Sequence, residues 1–217
     1  MYYTHEQQES KKNTHPECTV FPSYSASEKV KRECTTYLIA RNLDPELAED
    51  NGWFPSTEAG DKFTRIVIPA RTWKQGHVWY QARDVTGRAY LRYQSPKGSR
   101  HEALIKVMPN SEPKGIVVLE GPCCALRAAM HGFIGYALCG KQPSRATLQH
   151  LALLIQDNPT LPVLVLLDRD CTDEAVRIVT FLASQGFAVK MGQFTKSKDL
   201  AELKNAESKT LLRTYFR

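Results

Sequence analysis

The sequence predicts an α/β protein: a four-stranded parallel sheet with flanking helices, preceded by a smaller α+β lobe rich in positive charge. Three observations carry this prediction. From Gly115 onward, apolar runs of strand length ("GIVVLEG", "FIGYALCG", "VLVLLD", "FAVKM") alternate with stretches of helical periodicity. Strands that are apolar throughout belong to parallel sheets covered on both faces. Upstream, two helical stretches precede three β-type segments, "FTRIVIPA", "HVWYQARDV" and "AYLRYQS". Between the halves lies the linker "MPNSEPKG". The expected division is a disordered polar tail over residues 1–24, the lobe over 25–111, and the sheet domain with a C-terminal helix over 112–217.

Each element has its own local reason. Residues 1–24 are polar and aperiodic, the composition of a segment that buries too little to order itself. From Ser27, Val30, Cys34 and Leu38 recur on one helical face, with Ser27 suited to the N-cap. Asp44–Pro45 reads as a cap followed by proline in the first turn of a short helix. "DVTGRAY" reads as the hairpin turn between the second and third lobe strands. In the sheet domain, "PCCALRAAMHG" gives a short helix closed by Gly132. Ser144 caps a helix running to about Gln156, with Leu148, Leu151 and Ile155 inward. Thr172 or Asp173 caps a helix carrying Val176, Val179, Phe181 and Leu182. A last helix is expected from about Asp199, with Leu200, Leu203 and Leu211 inward.

Composition narrows the function classes. The chain has 217 residues, a formal net charge of +6 and a pI near 9.0, a balance that suits an acidic partner such as nucleic acid. No apolar run approaches membrane-spanning length, and residues 1–17 hold no signal-type apolar core. The expectation is a cytoplasmic protein without membrane contact. The six cysteines include no C-x-x-C pair, so neither a disulfide framework nor a zinc site is expected. In the lobe, Arg65, Arg83, Arg92 and Lys97 lie among Trp79, Tyr80, Tyr90 and Tyr93. Charge for phosphates and rings for bases make that mixture fit a nucleic-acid groove; a solvated sheet face over packed aromatics is the plainer alternative.

The acids carry the chemistry. "VVLEG" ends the first strand of the sheet domain on Glu120, and "VLLDRD" ends the third on Asp168 and Asp170. Binding sites in such sheets lie beyond the carboxyl ends of the strands. Residues i and i+2 of a strand point the same way, so Asp168 and Asp170 would aim two carboxylates at one point. Like charges that close need a cation or a shared proton, and hard oxygen donors suit Mg²⁺ or Mn²⁺. A single acid at a strand end is commonly a helix cap; three acids from two strand ends favour a metal.

Residues 115–205 resemble the Toprim domain shared by bacterial-type and phage primases, type IA and type II topoisomerases and some nucleases. Its signature is glutamate–glycine after the first strand and D-x-D after the third, present here as Glu120–Gly121 and Asp168–Arg169–Asp170. "SKDLAEL" is similar to the acidic "KDPDE" segment of primases, with Lys198 and Asp199 matching. The lobe is similar to the one that precedes Toprim in DnaG-type primases: Arg65 and Pro69, then Arg83, then Arg92, Tyr93, Ser95 and Pro96 stand in the family's order. "QARDVTG" is close to a phage-primase pattern.

This resemblance implies synthesis of short RNA primers on a single-stranded DNA template from ribonucleotides. Glu120, Asp168 and Asp170 would be catalytic and, with Asp199, would hold Mg²⁺ or Mn²⁺. Arg65, Arg83, Arg92, Tyr93, Lys97, Lys141 and Lys198 would hold template and nucleotides. A separate helicase or zinc-module protein is the implied partner, since no paired-cysteine module and no G-x-x-x-x-G-K-[ST] loop is present. A bacterial cell, through a phage or mobile element, is the implied setting. The chain departs from the family at Cys124 and Ala201, where aspartates are usual. Two other readings use the same residues: a Toprim metal-dependent nuclease, and a non-catalytic module that binds single-stranded DNA.

Overall fold

A computed structural model describes residues 21–25, 27–59, 62–72, 78–96, 103–140, 142–194 and 199–216. Helix α1 (Glu28–Ala40) buries Val30, Cys34 and Leu38, the face that the spacing predicts. Ser27 holds the N-cap position without a side-chain bond. The next cap is complete: Asp44 accepts from the N–H groups of Glu46 and Leu47 at 3.0 and 3.2 Å and starts α2 (Pro45–Asp50). Residues 21–24, read from sequence as the end of the tail, pack instead on the lobe. The Phe21 ring meets Phe54 and Tyr80 at centroid distances of 6.3 and 6.1 Å, and the Ser23 N–H donates to Glu58.

The lobe sheet contains β1 (Phe54–Ser56), β2 (Arg65–Ala70), β3 (Trp79–Asp84) and β4 (Tyr93–Gln94), antiparallel and in that spatial order. "AYLRYQS" supplies only β4, because residues 85–92 form a locked loop rather than a tight turn. Asp84 Oδ1 accepts from the Thr86 N–H at 3.0 Å and from the Thr86 hydroxyl at 2.8 Å. The Asp84 N–H donates to the Arg92 carbonyl at 3.0 Å, and Gly87 turns the chain at a φ of +70°.

The second sheet differs from expectation at one edge. Its strands are β5 (Ile105–Val107), β6 (Ile116–Leu119), β7 (Ile134–Ala137), β8 (Val163–Val165) and β9 (Val189–Met191), in the order β5-β7-β6-β8-β9. β7, β6, β8 and β9 form the parallel set; β5 joins antiparallel to β7, making a five-stranded mixed sheet. An antiparallel edge strand on a parallel sheet is a common addition. Here it carries Ile105 and Val107 into the core from a position before the "MPNSEPKG" linker. Arg71 and Leu104 exchange backbone hydrogen bonds at 2.7 and 3.0 Å and so join the two sheets.

Alternation along β6 shows how the layers are filled. Val117 and Leu119 face a core shared with α3 (Pro122–Met130), α6 (Asn205–Tyr215) and the lobe residues Leu38, Leu47, Trp53 and Ile68. Ile116 and Val118 face the core under α4 (Arg145–Gln156) and α5 (Thr172–Ser184). One continuous apolar cluster therefore welds the lobe to the sheet. Ser144 caps α4 by accepting from the Thr147 N–H at 3.1 Å, and Leu148, Leu151 and Ile155 are buried as expected. The N-cap of α5 is Cys171 rather than Thr172 or Asp173, and its buried stripe is Ala175, Ile178 and Leu182, with Val176 in solvent. The last helix begins at Asn205, not Asp199. Asp199 Oδ1 accepts from the Glu202 N–H at 2.9 Å, closing a turn, and Glu207 then accepts from the Lys204 N–H at 3.1 Å to start the helix. No helix among the described residues is long and apolar enough to cross a membrane.

Candidate active-site cleft

The carboxyl ends of the parallel strands open into a cleft of about 270 Å³ between the two sheets. One wall comes from the sheet domain. Glu120 directly follows β6, and Gly121–Pro122 start α3, so the helix begins at the floor of the cleft. Asp168 follows β8, the parallel neighbour of β6. Asp199 and Glu202 come from the turn before α6. The opposite wall comes from the lobe: Arg41 at the end of α1, Gln81 and Arg83 on β3, and Arg92 and Tyr93 at the start of β4. Four carboxylates thus face three guanidinium groups.

The D-x-D pair does not lie on a strand. β8 ends at Val165, and Asp170 sits in the turn before α5, so the two carboxylates do not share a strand face. Asp168 lines the cleft, while Asp170 is joined to Glu120 through a thiol. Cys171 Sγ lies 3.6 Å from Glu120 Oε2 and 3.6 Å from Asp170 Oδ1, so its single proton can be donated to either carboxylate in turn. Among the described residues no three acid, histidine or cysteine side chains already form a group able to grip a metal ion. Mg²⁺ does not demand one, since it is commonly held by one or two carboxylates and completes its octahedron with water and phosphate oxygens. Glu120, Asp168, Asp199 and Glu202 on one wall meet that requirement.

The basic wall is held by aromatic rings. The Arg83 guanidinium lies 4.8 Å from the Tyr93 ring centre and 5.3 Å from that of Tyr37, and Arg41 lies 5.9 Å from Tyr37. Ring faces steady a cation without neutralising it, so these charges remain available to an anion. The Tyr93 hydroxyl lies 3.8 Å from Cys123 Sγ, and burial raises its pKa well above the phenol range. Burial likewise pushes up the thiols of Cys123 and Cys124 and takes Cys139 to about 12, so the cysteines lining the cleft are neutral and not nucleophiles. Behind this wall the Arg127 side chain is fully buried; its Nη2 donates to the Arg41 carbonyl at 2.8 Å.

The structure brings six of the residues singled out from sequence to one cleft. Glu120, Asp168, Asp199, Arg83, Arg92 and Tyr93 all line the cleft. Arg65 does not. It is fully buried and donates to the carbonyls of Ala82 at 2.9 Å and Leu91 at 3.1 Å, which makes it a brace for the loop between β3 and β4. Lys97, Lys141 and Lys198 lie outside the described residues. Glu202, Arg41 and Gln81 were not anticipated. For Glu202 a signal existed, because "KDPDE" ends on an acid at that position; Arg41 and Gln81 carry no local motif.

No family model matches the chain. No curated protein matches it either. Solved structures do share its fold. A primase of Aquifex aeolicus comprising zinc-binding and RNA polymerase domains matches with a TM-score of 0.61 at 21% identity, over 85% of this chain and 55% of that one. The RNA polymerase domain of Mycobacterium tuberculosis primase DnaG matches with a TM-score of 0.60 at 18% identity, over 87% of this chain and 77% of that one. The primase fragment of the bacteriophage T7 primase-helicase matches with a TM-score of 0.55 at 17% identity, over 82% and 72%. The chain spans about half the length of the Aquifex structure. Its fold, a mixed α/β arrangement with the cleft between two sheets, resembles the RNA polymerase core of DnaG-type primases.

Proposed function

We propose that this chain is a primase catalytic core of the Toprim type, joining ribonucleotides into short RNA primers on a single-stranded DNA template. The observation that carries the reading is the opposition of Glu120, Asp168, Asp199 and Glu202 to Arg41, Arg83 and Arg92 across one cleft, within a fold shared with primase RNA polymerase domains.

Nucleotidyl transfer makes a bond from the primer 3′ oxygen to the α-phosphorus and breaks the bond to the leaving pyrophosphate, with the 3′ hydroxyl proton passing to solvent or base. Its demand on the protein is positioning and charge compensation rather than covalent chemistry. Glu120, Asp168 and Asp199, with Glu202, are the residues to hold Mg²⁺ or Mn²⁺, with Asp170 beside Glu120 across the Cys171 thiol. The ion supplies charge stabilisation at the transferring phosphate and its leaving group. Arg83 and Arg92 neutralise the outer phosphates, and Tyr93, held neutral, fixes the direction of Arg83. The neutral Cys124 and Ala201 leave two carboxylates fewer than the family pattern, so the ion would rest on Glu120, Asp168, Asp199 and Glu202.

The template, the ribonucleotides and a separate helicase or zinc-module protein are partners within this proposal; the kinship of fold with a fragment of a primase-helicase supports the helicase. The test is primer synthesis by the purified chain on mixed-sequence single-stranded DNA with labelled ribonucleotides and Mg²⁺ or Mn²⁺. Short RNA products are expected. Metal-dependent nicking of DNA without ribonucleotides would replace this reading with a nuclease, and DNA binding with neither reaction would leave a binding module.

A further inference from the structure

We propose that the loop of residues 85–92 is a stacking platform that extends the cleft into a path for single-stranded nucleic acid, with Tyr90 stacking a base. This rests on the reading of the cleft given above. Tyr90 is 99% exposed and Leu91 52% exposed. Single exposed apolar residues are ordinary on protein surfaces. Three features set this pair apart.

The loop is braced from inside. The buried Arg65 donates to the Leu91 carbonyl at 3.1 Å, the Asp84 carboxylate accepts twice from Thr86, and the Thr86 hydroxyl accepts from the Arg88 N–H at 3.2 Å. A fixed backbone presents the ring to solvent at small ordering cost on binding.

Along the chain Tyr90 lies between two cations, Arg88 and Arg92. Arg92, on one side, lines the acidic cleft. Arg88, on the other, is steadied over the Phe63 ring at 5.4 Å and lines a second groove of about 680 Å³ with Lys29 and Arg32 of α1. The acid in that groove, Glu33, accepts from the Thr64 hydroxyl at 2.5 Å.

Finally, Tyr37 links the two grooves. Tyr37 lines the second groove, and its ring also steadies Arg41 and Arg83 of the cleft. Two cation-lined grooves with an exposed ring on the loop between their arginines fit a flexible polyanion whose bases are free to stack. That describes a single strand and excludes a duplex, whose bases are already stacked.

The experiment measures binding of labelled oligo(dT) and oligo(rU) to the full chain by fluorescence anisotropy, across a salt series. Tyr90→Ala is expected to weaken binding roughly ten-fold or more, and Tyr90→Phe to stay within about two-fold of wild type. Arg88→Ala is expected to reduce the slope of log affinity against log salt by about one. The stronger of the two oligomers identifies which strand, DNA template or RNA product, follows the path. Tyr90→Ala binding as tightly as wild type overturns the proposal, as does a wild type that binds neither oligomer at low salt. RNA synthesis together with a neutral Tyr90→Ala removes the platform alone. Binding through Tyr90 without any synthesis removes the primase reading alone.

Discussion

Arg127 donates through Nη2 to the backbone carbonyl of Arg41 at 2.8 Å, tying α3, which starts at the floor of the cleft, to the end of α1 in the lobe. The guanidinium is fully buried, and its Nε and Nη1 have no hydrogen-bond partner among the described residues. Burial lowers its pKa, and the carbonyls at the end of a helix are a favourable place for a cation. Arg127→Met keeps much of the volume and removes an under-bonded buried charge. Its stability is expected to stay within about 1.5 kcal/mol of wild type. Binding of single-stranded DNA should nonetheless fall, because the backbone of Arg41 is no longer held. Arg127→Ala adds a cavity and is expected to cost about 2–4 kcal/mol in urea unfolding. Met and Ala variants that both bind like wild type would show that the bond does not position Arg41.

Gly135 sits on β7 beneath α3. A Cβ there would stand 2.4 Å from the Ala125 carbonyl oxygen and 2.7 Å from the Ala125 Cα, both backbone atoms that cannot swing aside. Gly135→Ala must push α3 off the sheet, which is expected to cost at least about 2 kcal/mol of stability. Because α3 starts beside Glu120, synthesis should fall with it. A urea midpoint unchanged from wild type would contradict this packing.

His131 closes α3, and its Nε2 lies 2.8 Å from Ser208 Oγ on α6. Burial, then the charges of Arg127, Lys209, Lys114 and Arg213, lower its pKa from 6.5 to about 4. Between those values the unfolded chain binds a proton that the folded chain refuses, so this group makes stability rise with pH. Its contribution is complete above about pH 6.5 and is lost as the pH falls toward 4. His131→Gln should therefore show a flatter rise of Tm between pH 4 and 6.5 than wild type. Parallel curves would show that His131 titrates normally in the folded chain.

How much of this was legible in the sequence depended on how local the cause was. α2 and α4 were readable because Asp44 and Ser144 are caps with visible partners a few residues on. Glu120 and Asp168 were readable because apolar runs of sequence end on them. β5 was not: three residues cannot show a period, and its pairing with β7 is set by contacts across the linker. The start of α6 was misplaced because Asp199 caps a turn before the helix cap at Lys204–Glu207. Arg65 looked like its basic neighbours, and only the β2–β3 register shows that it points inward to hold the loop. Arg41 entered the site through the lobe–sheet contact, a long-range fact that no local pattern contains.

The measurement that tests the central claim most directly compares Asp168→Asn with wild type in two assays on the same preparations, RNA synthesis on single-stranded DNA with Mg²⁺ or Mn²⁺ and binding of the same DNA. The substitution removes one charge at nearly constant shape. The account predicts short RNA from wild type, a loss of synthesis of at least roughly a hundred-fold in Asp168→Asn, and DNA binding within about two-fold of wild type. Synthesis by Asp168→Asn at the wild-type rate, or no RNA from wild type on any template tried, would contradict it.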